Sequence, residues 1–427
     1  MSSPTAAPSY AAVLRTPHAC RTFGAALLGR LSYGVAPLSL VLAVKEATGS
    51  YAVAGGTMAV FGLTGVFLSP ARARLIDRYG PRRVLPLMAS VYAVLLTVLA
   101  GATAWSGGSA VLLTVLSAAA GATTPPLGPV MRTLWSTLVP DRPLLQRAYS
   151  LDGVAEELLF VTGPLLVGVL MKVAAPSAGL AVSAVLVLAG ALLLVASPAV
   201  DGWGAAGQAA TEPEGPEESE GPEGPEGSEG PEGPSQGTPS RAKSRLAGDG
   251  SGLRRAIAVT AGLGMGLGAL DLLVIAFAEE HRAAHTIPWI MAALSAGSAV
   301  GGLAYGAVSW RVSGRHRVSA LALALGLVMA ATGFAPHPYV LIAGAALGGL
   351  FVAPALTTAY LIADECAGPG ARTTAGAWVN TAFNAGSSGS TAAVGLLVGH
   401  MPLPVLFILA AAPVVLSAGA TLIPARR

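Results

Sequence analysis

Twelve apolar runs, each long enough to cross a lipid bilayer as a helix, recur along this chain and limit what it can fold into. A helix rises 1.5 Å per residue, so about 20 residues cross a hydrocarbon core of ~30 Å. The runs lie near 22–44, 51–71, 84–104, 109–139, 149–172, 178–197, 255–278, 286–309, 318–335, 339–362, 374–399 and 403–423. The fourth and fifth contain charges, and the eleventh is rich in Gly, Ser, Thr and Asn. The chain has 427 residues, 53% of them hydrophobic and 11% charged. Soluble domains carry roughly 25% charged residues, so lipid is the main solvent expected here. The first run is longer than the apolar region of a signal peptide and is read as a retained span.

Basic residues orient the spans, because Lys and Arg concentrate in cytoplasmic loops. With both termini inside, twenty of the 25 Lys and Arg residues fall on the inner side. Lys45, Lys172 and Arg282 fall outside, and Arg30 and Arg132 lie within spans. A shift by one helix destroys this asymmetry, so an even number of spans is expected. Lysine is nearly absent while Arg, Ala and Gly abound, a composition that suits a GC-rich bacterial genome and a bacterial plasma membrane.

Residues 201–252 are of another kind and include EGPEESEGPEGPEGSEGPEGPSQG. Such a tract cannot bury apolar surface and reads as a disordered cytoplasmic linker. Its glycine period covers too few triplets for a collagen helix. The expected organisation is therefore a tail at 1–21, a six-helix bundle at 22–200, the linker at 201–252, a second six-helix bundle at 253–423 and a tail at 424–427. The bundles echo each other. RYGPRRV at 78–84 matches RVSGRHRV at 311–318, with Gly80 opposite Gly314 and Arg83 opposite Arg317. Pro129 and Pro354, and Arg147 and Arg372, correspond at a second offset.

The sharpest local signal is ARARLIDRYGPRRV at 71–84. It resembles the loop motif G-x-x-x-D-R-x-G-R-R between helices 2 and 3 of the major facilitator superfamily. Asp77, Arg78, Gly80, Arg82 and Arg83 fit, Ala73 replaces the first glycine, and Pro81 stands where a basic residue is usual. Together with the six-plus-six pattern the resemblance covers nearly the whole chain. It implies an all-α fold of twelve transmembrane helices in two pseudo-symmetric six-helix bundles that transports by alternating access. It also implies that Asp77 meets the start of helix 11, where unpaired N–H groups favour a carboxylate. The plainer reading of the three arginines is that they anchor the inner side. VTGPLLVG at 161–168 matches part of the antiporter motif G-P-x-x-G-G through Gly163, Pro164 and Gly168. The arginine usual in helix 4 of such antiporters is absent near Leu116.

Charges within spans need a partner, an aqueous cavity or a function. The candidates are Arg30, Arg132, Glu156, Glu157 and Asp271. Arg132 and Glu156 lie at equal depth on consecutive helices, so an ion pair is expected, which Asp152 one turn away could extend. That pair reads as a static clamp, as a gating or proton-linked pair, or as a substrate contact. Asp271 stands alone in helix 7, which the resemblance places on the central cavity. There it could bind a cation or carry a proton, or else find a buried partner. Trp378, Asn380 and Asn384 of helix 11 are candidate cavity residues, with helix–helix packing as the alternative reading.

Soluble-enzyme signals fail. There is no G-x-x-x-x-G-K-[ST], and the glycines at 262, 264, 266 and 268 lie within a span. The six His and two Cys show no metal-ligand spacing, so neither a cofactor nor a metal is expected. A dispersed net charge of +3 does not argue for nucleic acid. The reading is a monomeric, multi-pass transporter that expels a small organic molecule in exchange for protons. A metabolite importer or exchanger and a non-transporting membrane sensor are the alternatives.

Overall fold

The computed structural model describes residues 9–104, 109–139, 141–203, 250–368 and 370–422. The linker and C-terminal tail expected at 201–252 and 424–427 fall largely or wholly outside them. The described residues form α1 (Tyr10–Arg15), α2 (Ala19–Thr48), α3 (Tyr51–Phe67), α4 (Ser69–Tyr79), α5 (Pro81–Ala104), α6 (Ala110–Thr123), α7 (Leu127–Leu138), α8 (Arg142–Leu170) and α9 (Ser177–Val195). The second half contributes α10 (Gly250–Glu280), α11 (Ile287–Ala307), α12 (Gly314–Thr332), α13 (Pro338–Cys366), α14 (Arg372–Leu397) and α15 (Leu403–Leu422).

Each apolar run is helical, but several helices outrun the apolar stretch. Helix α8 begins at Arg142 because Asp141 caps it, accepting from the Leu144 N–H at 3.3 Å. The charged and polar turns before Tyr149 are therefore helix rather than loop. Helix α2 likewise continues to Thr48, where Gly49 at φ 68° turns the chain.

Two spans are broken where proline removes backbone donors. The fourth run divides into α6 and α7 around Pro125 and Pro126. The second bends by 41° between α3 and α4, with Pro70 in the first turn of α4. Residues up to Tyr79 of the expected loop motif are thus helical, and the loop shrinks to Gly80. Gly80 holds φ 79° and ψ 150°, a conformation open to glycine and costly for other residues.

By length and composition, eight helices among the described residues can cross a membrane, or nine with the bent pair. Three of the twelve expected spans fall short for visible reasons. Helix α12 opens on Arg315, His316 and Arg317, and α14 carries Asn380, Asn384 and a run of Ser and Thr. In α15, Leu403–Leu422, the apolar stretch counted among the described residues is Leu403–Gly419.

Two cores form. One gathers buried side chains from Val13 to Val200, joined by Leu361, and the other runs from Ala256 to Ala418. Within the first, α2 and α8 approach closely at Gly34 and Gly163. A methyl added at Gly34 would fall 2.7 Å from the Leu159 carbonyl oxygen. Gly163 of the antiporter-like segment thus serves close helix packing, as small residues do between spans.

The halves meet where α8 packs on α11 and α13, and α14 on α4 and α7. Hydrogen bonds across this seam gather toward the arginine-rich face. Gln146 Nε2 donates to the carbonyls of Tyr305 and Val308 at 2.9 and 3.1 Å, and Arg147 Nη2 to that of Ala307 at 2.8 Å. Arg317 Nη1 donates to Gln146 Oε1 at 2.8 Å, and Tyr10 Oη to the Leu303 carbonyl at 2.6 Å.

Candidate functional site

A cavity of about 660 Å³ lies between the halves. Residues of both halves line it, among them Arg30, Tyr33, Arg132, Glu156 and Glu157 from the first, and Asp271, Ser298, Tyr360, Asn380 and Asn384 from the second. The break between α6 and α7 opens onto it, and the hydroxyl of Tyr33 donates to the Pro125 carbonyl at this break.

Four charges stand together on the first-half wall. Arg132 Nη2 lies 2.5 Å from Glu156 Oε2, and Arg132 Nε 3.2 Å from Asp152 Oδ2. Arg30 reaches the same acids, with Nη1 2.6 Å from Asp152 Oδ1 and Nη2 3.1 Å from Glu156 Oε2. The quartet is electrically neutral, which is how charges persist at low dielectric. The guanidinium of Arg132 also lies 3.8 Å from the ring centroid of Tyr360, a contact that crosses to the second half. Sequence reasoning left Arg30 without a partner, whereas the fold gives it two.

Glu157 has a partner in the second half. Ser298 Oγ of α11 donates to Glu157 Oε1 at 3.0 Å, tying the two halves at cavity depth. Asp271 makes no hydrogen bond or ion pair among the described residues and faces the cavity. Asn380 and Asn384 line it too, and Asn384 Nδ2 donates to the Asn380 carbonyl at 2.8 Å. Trp378 is not among the lining residues and is 39% exposed. Two positions along a helix turn a side chain by about 200°, so Trp378 cannot share the face of Asn380.

On the arginine-rich face, Asp77 Oδ2 accepts from the backbone N–H of Thr374 at 2.8 Å and from its hydroxyl at 2.7 Å. Thr374 is the third residue of α14, whose own N-cap, Ala371, offers no side-chain acceptor. Asp77 therefore caps α14 from the opposite half. An N-cap carboxylate satisfies an orphan donor and meets the positive end of the helix dipole.

A family model for the Major Facilitator Superfamily matches residues 22–263 and again 256–427. The chain belongs to the major facilitator superfamily. As a member it is a multi-pass membrane protein with a secondary-transporter fold rather than an enzyme, and it acts on a small molecule. Several solved structures share the fold. A bacterial homologue of the iron transporter ferroportin, outward-facing, is 14% identical over 94% of this chain and 98% of its own, with a TM-score of 0.71. The human organic anion transporter TETRAN is 18% identical over 97% of this chain and 100% of its own, with a TM-score of 0.65. The E. coli fucose:proton symporter is 16% identical over 96% and 99%, with a TM-score of 0.60. At these identities the likeness concerns the fold alone. No curated protein matches the chain in sequence.

The remaining residues of the superfamily motif have plainer surroundings. Arg82 pairs with Asp201 at 2.6 Å, with both side chains more than half exposed, so the pair contributes about 0–1 kcal/mol. Arg78 lies 5.3 Å from the ring centroid of its neighbour Tyr79, and Arg83 is exposed. A neighbouring arginine is engaged more deeply. Arg72 is 7% exposed and donates to the carbonyls of Gly121 and Ala122 at 2.9 Å each and of Gly65 at 2.5 Å. It binds the bent second span to the end of α6. Its place in an arginine-rich motif hid this role behind the topology signal.

Asp77 gives the first testable consequence. In Asp77→Asn the amide can still accept from Thr374, but the charge–dipole attraction of about 0.3–1 kcal/mol is lost. The population open on the arginine-rich face should rise about two- to fivefold, read by cysteine-accessibility labelling of residues buried at the seam. Unchanged labelling at normal expression rejects the role.

Proposed function

We propose that this protein is a proton-coupled exporter of a small organic molecule. In this reading it works in a bacterial plasma membrane with both termini in the cytoplasm, as a monomer. The observation that carries the proposal is Asp271. It is the cavity carboxylate without a partner among the described residues, while Glu156 is held by two arginines and Glu157 by Ser298. A carboxylate that faces a cavity and answers to no fixed cation can change protonation as access alternates. The seam bonds on the arginine-rich face close that side, so the reading makes this state outward-facing.

The charge quartet then serves as a clamp rather than a carrier, because each acid is ion-paired with a cation within 3.2 Å. Asp77, Arg78, Gly80, Arg82 and Arg83 form the conformational segment, with Asp77 as the working group. Asn380 and Asn384 offer amides to a substrate in the cavity. The test is flux into proteoliposomes under an imposed pH gradient, across a panel of small organic cations, anions and neutral compounds. Accumulation that follows the gradient for at least one compound supports coupling, and uphill movement indifferent to pH rejects it.

The Pro/Gly/Glu tract is assigned the role of a tether between bundles at 22–200 and 253–423. A chain of that composition needs only reach. Deleting 205–240 is expected to leave transport rates within about twofold of the full chain. Loss of activity in a well-expressed deletion would give the tract a specific partner.

A further inference from the structure

The sign of the charge left over in the central cavity bears on what the cavity takes. Six charged side chains line it, namely Arg30, Arg72, Arg132, Glu156, Glu157 and Asp271. Arg30 and Arg132 are spent on Glu156 and on Asp152 behind it. Arg72 is 7% exposed and its guanidinium is occupied by three backbone carbonyls. Glu157 and Asp271 have no cation among the described residues, and they belong to opposite halves. Even with Arg72 counted, the lining and Asp152 together hold one more carboxylate than guanidinium.

The two carboxylates are held differently. Ser298 Oγ fixes Glu157 Oε1 at 3.0 Å, while Glu157 Oε2 makes no hydrogen bond or ion pair among the described residues. One oxygen is thus anchored and the other is left for a ligand. Asp271 has no such anchor, which suits a group that exchanges a proton. Around Glu157 the cavity is aromatic. Phe160 lines it from the next turn of the same face of α8, and Phe61 and Phe383 line it as well. Ring faces attract cations, and the fold already uses one in this way, since Arg132 sits over Tyr360. A volume of about 660 Å³ lies within the range of about 300–1,000 Å³ that takes drug-sized ligands.

We propose that the substrate is an organic cation with a lipophilic or aromatic body, and that its positive charge pairs with Glu157 while Asp271 carries the proton. This rests on the reading of the central cavity as the transport site. An organic anion would have to draw an arginine away from Asp152 or Glu156. A neutral compound would leave Glu157 without a counter-charge. A bare metal ion would need a denser ligand set, and no group of three or more His, Cys, Asp or Glu gathers among the described residues.

Tetraphenylphosphonium and tetraphenylborate test the sign directly, because they are near-identical in size and opposite in charge. Each is titrated alone into full-length protein in dodecylmaltoside, with protein-free detergent as the blank. Saturable binding of the phosphonium is expected, about tenfold or more tighter than that of the borate. Glu157→Gln, whose amide can still accept from Ser298, should weaken it about tenfold, as loss of a charged contact does. Ser298→Ala removes the seam bond but keeps the carboxylate, and should hold affinity within about threefold. The proposal is overturned by borate binding as tightly as phosphonium, by no saturable phosphonium binding, or by affinity undiminished in Glu157→Gln. It is equally overturned if Ser298→Ala weakens binding as much as Glu157→Gln, since Glu157 would then act through the seam. Equilibrium binding needs no gradient, so the result is separable from coupling. Phosphonium binding without pH-driven flux rejects the coupling and keeps the substrate class, whereas pH-driven flux of anions or neutral compounds alone rejects the class and keeps the coupling.

Discussion

Arg132→Met should destabilise the folded protein by about 3–5 kcal/mol, the usual consequence of stranding a buried charge. The structure makes this prediction sharper than a simple pair would. Arg132 contacts both Glu156 and Asp152, and Arg30 contacts the same two acids. Removing one arginine leaves two acids to one cation. Removing Arg132 together with Glu156 leaves the neutral Arg30–Asp152 pair at 2.6 Å intact. Arg132→Met/Glu156→Gln is therefore expected to recover half or more of the loss, and Arg132→Met/Asp152→Asn to recover part of it. Unfolding midpoints in detergent, assembled into double-mutant cycles, read the coupling directly. Strictly additive losses in both cycles would show that the four groups do not act as a unit.

What the sequence discloses about this site depends on how each contact is made. Arg132 and Glu156 sit on consecutive spans joined by a short turn, so counting residues from a common face places them together. Arg30 belongs to the first span, and nothing in its local sequence says which helix will lie beside it. Counting depth from the edge of an apolar run also misjudges α8, which begins at Arg142 rather than near Tyr149. The Ser298–Glu157 bond is hidden for a different reason, since a serine in an apolar helix carries no charge to mark it. Trp378 and Asn380 show the reverse, because helical periodicity alone separates their faces. The spans themselves are legible wherever lipid is their solvent, and fade in α12 and α14, where arginine and polar residues face protein or the aqueous face. The kinks at Pro70 and at Pro125–Pro126 are written in the sequence. Their consequence is not, for the burial of Arg72 beneath three carbonyls follows from how α4 folds back against α6.

Asp271→Asn is expected to abolish pH-driven accumulation of substrate, reducing it to the level of liposomes without protein. Exchange of substrate at equal pH should survive. What matters is which groups can give up a proton as the halves rock. Glu156 and Asp152 are tied to two arginines in a quartet of balanced charge. Glu157 keeps a neutral partner, Ser298, which separates from it only if α8 and α11 part. Asp271 lines the cavity with no such tie among the described residues, so its protonation can follow whichever side the cavity meets. Binding and rocking need no net proton transfer, which is why exchange is spared. Asparagine keeps the shape and polarity of the side chain and removes only the titration, so lost accumulation with normal exchange cannot be blamed on misfolding. If Asp271→Asn still concentrates substrate against its gradient, Asp271 is not the carrier. Glu157→Gln then becomes the decisive variant, because the opening of the seam would be the step that frees its carboxylate.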